Sequence, residues 1–201
     1  MAVLLSSAYL PPVAWVVAAV QAGEVCLEIH ETFPKQTCRN LCTIYGPNGK
    51  QSLTIPVNKP FGNHTKTKDI RISYDIPWDK LHWKSLETAY RNSPFFLYYQ
   101  DELKPFYHKQ YHFLIDFNDE LMMVLFHMLR APVTLCHSSS FMPLQKDDPR
   151  IILSSKHHHP VFPAYIQTFS SVHGFLTNLS VVDLLFNLGN ETLNYLKSVC
   201  L

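Results

Sequence analysis

The chain has almost no net charge: 17 Lys and Arg stand against 16 Asp and Glu, a formal +1 over 201 residues. That balance gives no broad field for nucleic acid or an anionic membrane, so any anion selectivity must come from a local cluster. No Gly-rich phosphate fingerprint is present, and there is no internal repeat or low-complexity tract. The five cysteines (Cys26, Cys38, Cys42, Cys136 and Cys200) are odd in number and lack a framework spacing. Reduced thiols in a cytoplasmic protein are the simplest account. On that reading the sequons at Asn63, Asn178 and Asn190 are coincidences of composition.

Only Ala2 to Ala22 is long and apolar enough to suggest a leader or a span. It has no preceding basic residue, and Pro11-Pro12 interrupts it, so neither is expected. Three consecutive histidines, His157-His158-His159, cannot all chelate one ion comfortably. Cys38 and Cys42 lack the second pair that zinc needs. No metal and no cofactor are predicted.

An apolar fraction of 47% with 13% aromatics is ample for a packed core. The length suits one domain over 1–201, with an α/β portion at about 1–76 and a mainly helical portion at about 77–201. Ala2 to Tyr9 reads as a strand, Val13 to Ala22 as a helix stopped by Gly23, and Glu24 to Ile29 as a second strand. Strand, helix, strand at this spacing predicts a parallel βαβ pair. Leu41 to Tyr45 and Ser52 to Val57 flank Gly46-Pro47-Asn48-Gly49, a hairpin signal. Asp69 to Tyr74 alternates like a half-exposed strand.

From Trp78 a helical stripe runs through Leu81, His82, Ser85, Leu86, Ala89 and Tyr90. An aromatic helical segment follows from Phe95 to Tyr107, broken at Pro105. Asn118 is read as the cap of a helix running to Arg130, stapled by Phe117 and Met122. Pro132 to Cys136 is a further candidate strand, and 137–160 reads as irregular loop. Ser180 and Asp183 form a capping box with Gly189 as the stop, and Asn190 is read as capping a short terminal helix. The predicted class is therefore α/β: a mixed, largely parallel sheet with a hairpin insertion, helices on both faces and a helical second half. An α+β arrangement is the alternative.

Chemistry concentrates in His30 to Asn40, where the second strand opens into a polar, proline-broken loop. Strand ends of this kind carry ligand sites in open α/β sheets. His30 with Glu31 is a candidate proton-transfer pair, although neighbours on a strand point to opposite faces. Lys35 and Arg39 lie at i and i+4, as do Gln36 and Asn40. Two cations beside two amides suit phosphate or carboxylate; a solvated pair with Glu28 or Glu31 is the plainer alternative. Tyr9 precedes the first helix, whose N-terminal amides would face the same sheet edge. His82 and Tyr90 are candidate substrate contacts, although a buried, hydrogen-bonded histidine is the plainer reading of His82.

Separate blocks in order carry a resemblance: Ala8-Tyr9-Leu10-Pro11-Pro12, His30-Glu31 with Lys35-Gln36-Thr37-x-Arg39-Asn40, Leu53 to Val57, His82-Trp83, Ser93 to Phe96, and Asn178 to Asn187. Together they resemble the WbqC-like family over nearly the whole chain. Cys38, Leu41 and Asn190 depart from its usual pattern. The resemblance implies a cytoplasmic bacterial protein associated with surface polysaccharide or lipopolysaccharide gene clusters. The expected function is a transferase-type enzyme using an activated sugar, acyl or aminoacyl donor with an anionic small-molecule substrate. His30 and Glu31 would be catalytic, and Tyr9, Lys35, Gln36, Arg39, Asn40, His82 and Tyr90 would bind substrate. The alternative is a non-catalytic scaffold of a glycan-assembly complex, with a flat aromatic patch from Phe95 to Tyr107. Oligomeric state is left open. Sequence alone predicts that Arg39→Ala abolishes ligand binding with the melting temperature near wild type.

Overall fold

Pro11-Pro12 and Gly23 punctuate the first 28 residues into strand β1 (Val3–Ser6), helix α1 (Val13–Ala22) and strand β2 (Glu24–Glu28). The computed structural model describes residues 2–34, 37–146, 148–150 and 160–200. Gly23 ends α1 in the left-handed region (φ 72), its N–H bonded to the Ala19 carbonyl, where a side chain would be strained. β1 and β2 pair in parallel, Leu5 opposite Leu27. Strand β7 (Thr134–His137) pairs in parallel on the other side of β2, giving the order β1-β2-β7. The central position of β2 explains why Val25 and Leu27 are buried. The apolar stretch considered as a leader is thus a core strand and helix.

The α/β class and the βαβ reading are borne out. The antiparallel strands form two small sheets of their own. β3 (Leu41–Gly46) and β4 (Gly49–Thr54) make the expected hairpin, closing at the Gly46–Gly49 pair around Pro47-Asn48. The Asp69 to Tyr74 strand shrinks to β6 (Arg71–Ile72), paired with β5 (Val57–Asn58).

Helices α2 (Trp78–Tyr90), α3 (Phe96–Leu103) and α4 (Leu114–Met128) follow. α4 starts one turn earlier than Asn118 suggested, because Leu114, Phe117 and Leu121 all need burial. Asn118 therefore sits inside the helix, not at its cap. Beyond β7 come α5 (Ser170–His173), α6 (Val181–Leu188) and α7 (Thr192–Ser198). Ser180 caps α6 as expected, accepting from the Val182 N–H. Asp183 does not return the bond: its carboxylate is buried, taking the Tyr165 hydroxyl and the Gln167 amide instead. Asn190 lies in a 3-10 turn and does not cap α7. Gly189 closes α6 at φ 55, and a Cβ there would lie 2.6 Å from the Phe95 ring.

One hydrophobic cluster runs from Leu5 to Val199 through all the major helices. Inside it Tyr9, Trp78, Tyr107 and Phe117 pack ring against ring around His82. No helix among the described residues is long and apolar enough to cross a membrane.

Candidate functional site

A cleft of about 520 Å³ opens beyond the C-terminal ends of β1 and β2, a size suited to a small ligand. Leu5 and Ser6 come from β1, Pro12 and Trp15 from the start of α1, and Glu31 to Arg39 from the loop after β2. Phe141, Leu144 and Arg150 close the far wall. Crevices at this edge of a parallel sheet are where open α/β folds bind ligands.

The loop is held by β2 itself. Glu28, the last residue of β2, is fully buried, and its Oε1 accepts the N–H groups of His30 (2.6 Å) and Glu31 (3.1 Å). The same oxygen takes the Ser138 hydroxyl, while Oε2 takes the Met142 N–H. One carboxylate therefore joins the strand end, the loop and the segment after β7. Further along, Phe33 N–H and Thr67 N–H bond across to Thr65 and Glu31 carbonyls. Residues 37–40 form a turn in which the Asn40 and Leu41 N–H groups share the Thr37 carbonyl.

That turn presents Arg39. Its Nε and Nη2 donate to Glu31 Oε1 at 3.0 and 2.5 Å, Nη2 also to Ser6 Oγ at 2.6 Å, and Nη1 to Thr37 Oγ1 at 3.0 Å. Four of the roughly five guanidinium N–H groups are thus committed, leaving one on Nη1 without a partner among the described residues. Both ion-pair partners are mostly buried, with side-chain exposures of 8% and 13%. Beneath them, Asn118 Nδ2 donates to the Arg39 carbonyl (2.8 Å) and to Ser7 Oγ (2.9 Å). Asn118 is thus a strut from α4 to the cleft floor.

Arg150 lines the opposite wall as a second strut. Its Nε and Nη2 grip Asp148 at 3.0 and 2.6 Å, and its other donors reach the Met142 and Pro143 carbonyls. Arg150 therefore binds the 142–148 segment to itself, and Glu28 Oε2 lies 4.0 Å away. With Glu28 and Asp148 behind, the two arginines leave no excess positive charge. Much of the lining is apolar: Leu5, Trp15, Phe141 and Leu144.

The structure divides the predicted site residues. Glu31 and Arg39 meet in the cleft. Asn40 lies below it, buried, donating to the Ile55 carbonyl, with its own Oδ1 unpartnered. Lys35, Gln36 and the histidines 157–159 lie outside the described residues. His30 is next to the cleft but does not line it: its Nε2 is 3.1 Å from the Ser138 carbonyl. Tyr9, His82 and Tyr90 are core residues. The Tyr9 hydroxyl is 2.9 Å from His82 Nδ1 and 3.0 Å from the Tyr107 hydroxyl. Burial pushes His82 down to about 4, so the ring is neutral at physiological pH, and it raises Tyr9 well above the usual phenol range. The Tyr90 hydroxyl accepts the Tyr45 N–H beside buried Asp183.

The N-terminus of α1 also serves another purpose than expected. The Val13 N–H goes to the Leu179 carbonyl, and the Ala14 N–H to Asn178 Oδ1. Those amides hold the 178–180 segment and are not offered to a ligand. Burial lifts the Cys38 thiol above its ordinary range, outweighing the neighbouring Arg39, which argues against a thiolate nucleophile. Among the described residues no three His, Cys, Asp or Glu side chains gather as a metal site. Sequence reading missed Glu28 as an anchor, together with Ser6, Trp15 and Arg150. Only Glu28, at the strand end beside the loop, carried a local signal.

No curated protein and no solved structure matches the chain. The model of the WbqC-like protein family matches residues 6–159, which include both β-strand ends, the Glu31–Arg39 loop and the Arg150 wall. The Asn178 to Asn187 block falls beyond that match. With more than half its length matched, the chain belongs to the WbqC-like protein family.

Proposed function

We propose that the chain is a cytoplasmic transferase-type enzyme of bacterial surface polysaccharide or lipopolysaccharide assembly, acting on an activated sugar, acyl or aminoacyl donor. The observation that carries the reading is the open cleft at the sheet's C-terminal edge, with the Arg39 guanidinium on its floor. A carboxylate or phosphate oxygen would take the remaining Nη1 donor, a charge-assisted bond. The apolar wall of Leu5, Trp15, Phe141 and Leu144 suits the carbon chain of an acyl or aminoacyl group better than a bare sugar.

Glu31 takes over the proton-moving role first shared with His30, since it is the one carboxylate among the described residues that line the cleft. It would accept the proton of an acceptor hydroxyl or amine as the donor's activated bond is broken. The scaffold alternative fits less well. Of the aromatic segment it relies on, Phe96, Tyr99, Phe106 and Tyr107 are buried, and of its large hydrophobic side chains only Leu97 and Tyr98 are strongly exposed.

The test is a thermal-shift screen of the intact protein against nucleotide sugars, acyl-CoA, aminoacyl donors and inorganic phosphate, followed by mass detection of transfer to a sugar acceptor. Stabilisation by one donor class, with product formed, supports the proposal. Stabilisation by none of them, or binding without turnover on any acceptor, removes the transferase reading.

A further inference from the structure

Cys26 on β2 and Cys136 on β7 are register partners in the parallel sheet. Cys136 is exposed and Cys26 partly so, and Cys136 is among the neighbours that raise the Cys26 thiol. Neighbouring strands lie about 4.8 Å apart, inside the roughly 4.4–6.8 Å of Cα separation that a disulfide spans. We propose that Cys26 and Cys136 form a reversible cross-strand dithiol–disulfide pair that reacts with low-molecular-weight disulfides such as oxidised glutathione.

The chemistry balances as two successive exchanges. The Cys136 thiolate attacks one sulfur of oxidised glutathione, forming a mixed disulfide and releasing one glutathione thiolate. Cys26 then loses its proton to solvent and attacks the Cys136 sulfur. The second glutathione leaves, the protein bond closes, and two thiols are oxidised as one disulfide is reduced. Order follows from access and acidity: burial and Cys136 push the Cys26 thiol up to about 11, so the exposed cysteine reacts first.

The bond would close between the strand that leads into the cleft loop and the strand that leads into the segment at Ser138. Its position gives it reach. Glu28 and Ser138, two residues beyond each cysteine, are hydrogen-bonded at 3.2 Å and hold the cleft loop.

The experiment treats the folded protein with oxidised glutathione, counts thiols after denaturation and maps the peptides by mass. Because Cys200 is also exposed, the test uses Cys200→Ser: its four free thiols should fall to two, with Cys26 linked to Cys136 within one chain and dithiothreitol restoring all four. Adding Cys26→Ser to that variant should leave a single glutathione on Cys136, because nothing then resolves the mixed disulfide. Stable glutathione on Cys136 of Cys200→Ser with Cys26 still free would overturn the proposal. So would a bridge between two chains.

Discussion

Arg39 spends two of its N–H groups on a single oxygen of Glu31, at 3.0 and 2.5 Å, at the cleft floor where both side chains are mostly buried. A candidate ligand-binding cation is therefore also a structural one. Arg39→Ala would strand a shielded carboxylate and leave Ser6 and Thr37 unpaired, a loss on the order of 3 kcal/mol. Chemical denaturation should show a lowered midpoint as well as lost binding. This replaces the expectation, drawn from sequence alone, of an unchanged melting temperature. A midpoint like wild type would mean the pair contributes little.

Glu31→Gln keeps the shape and one acceptor oxygen for Arg39 but removes the proton acceptor. Turnover should fall about 100-fold or more, with KM within a few-fold of wild type, once a substrate is in hand. Equal losses in binding and turnover would make Glu31 a positioning group for Arg39 alone.

Glu28 is fully buried and accepts from three backbone N–H groups, those of His30, Glu31 and Met142. Glu28→Ala leaves these donors without their acceptor, at a cost of about 1–3 kcal/mol each if they stay buried, so the loop should open to water instead. Hydrogen exchange is the measurement: amides of 30, 31 and 142 should exchange much faster than those of β1. Retained protection at those positions would contradict the anchor role.

His82 gives the fold a pH dependence of defined sign. Its folded value, about 4, lies below the ordinary 6.5 because burial disfavours the imidazolium. As pH falls below 6.5 the unfolded chain takes the proton first, so the stability His82 contributes at neutral pH is lost between 6.5 and 4. By pH 4 the loss from this group reaches about 3 kcal/mol. Urea unfolding of His82→Phe should lack that part of the acid slope, whereas parallel slopes for variant and wild type would rule it out.

Legibility from sequence followed the range of the interactions involved. β1, α1 and β2 were readable because Pro11-Pro12, Gly23 and the apolar runs act locally. The hairpin was readable from its turn residues. Asn118 misled because an Asn before Asp119-Glu120 imitates a cap, while the burial of Leu114 and Phe117 set the real start of α4. Glu31 and Arg39 stood out in the sequence and both line the cleft, but their union depends on a loop that turns back at 37–40. Arg150 and Ser138 join the site only because β7 pairs with β2 more than a hundred residues later, and no local pattern encodes that register. His82 and Tyr9 looked chemical for the same reason: polar atoms satisfied by distant partners in the core resemble site residues when read one at a time.

The central claim is that ligand enters the cleft between Ser6, Trp15 and the Glu31–Arg39 loop. Thr32 lines that cleft while remaining exposed, so Thr32→Trp fills its mouth without disturbing the core. Isothermal titration of the donor selected by thermal shift should give binding to wild type and at least a tenfold weaker affinity for Thr32→Trp, at an unchanged melting temperature. Equal affinity for both proteins would place the ligand elsewhere and contradict the account.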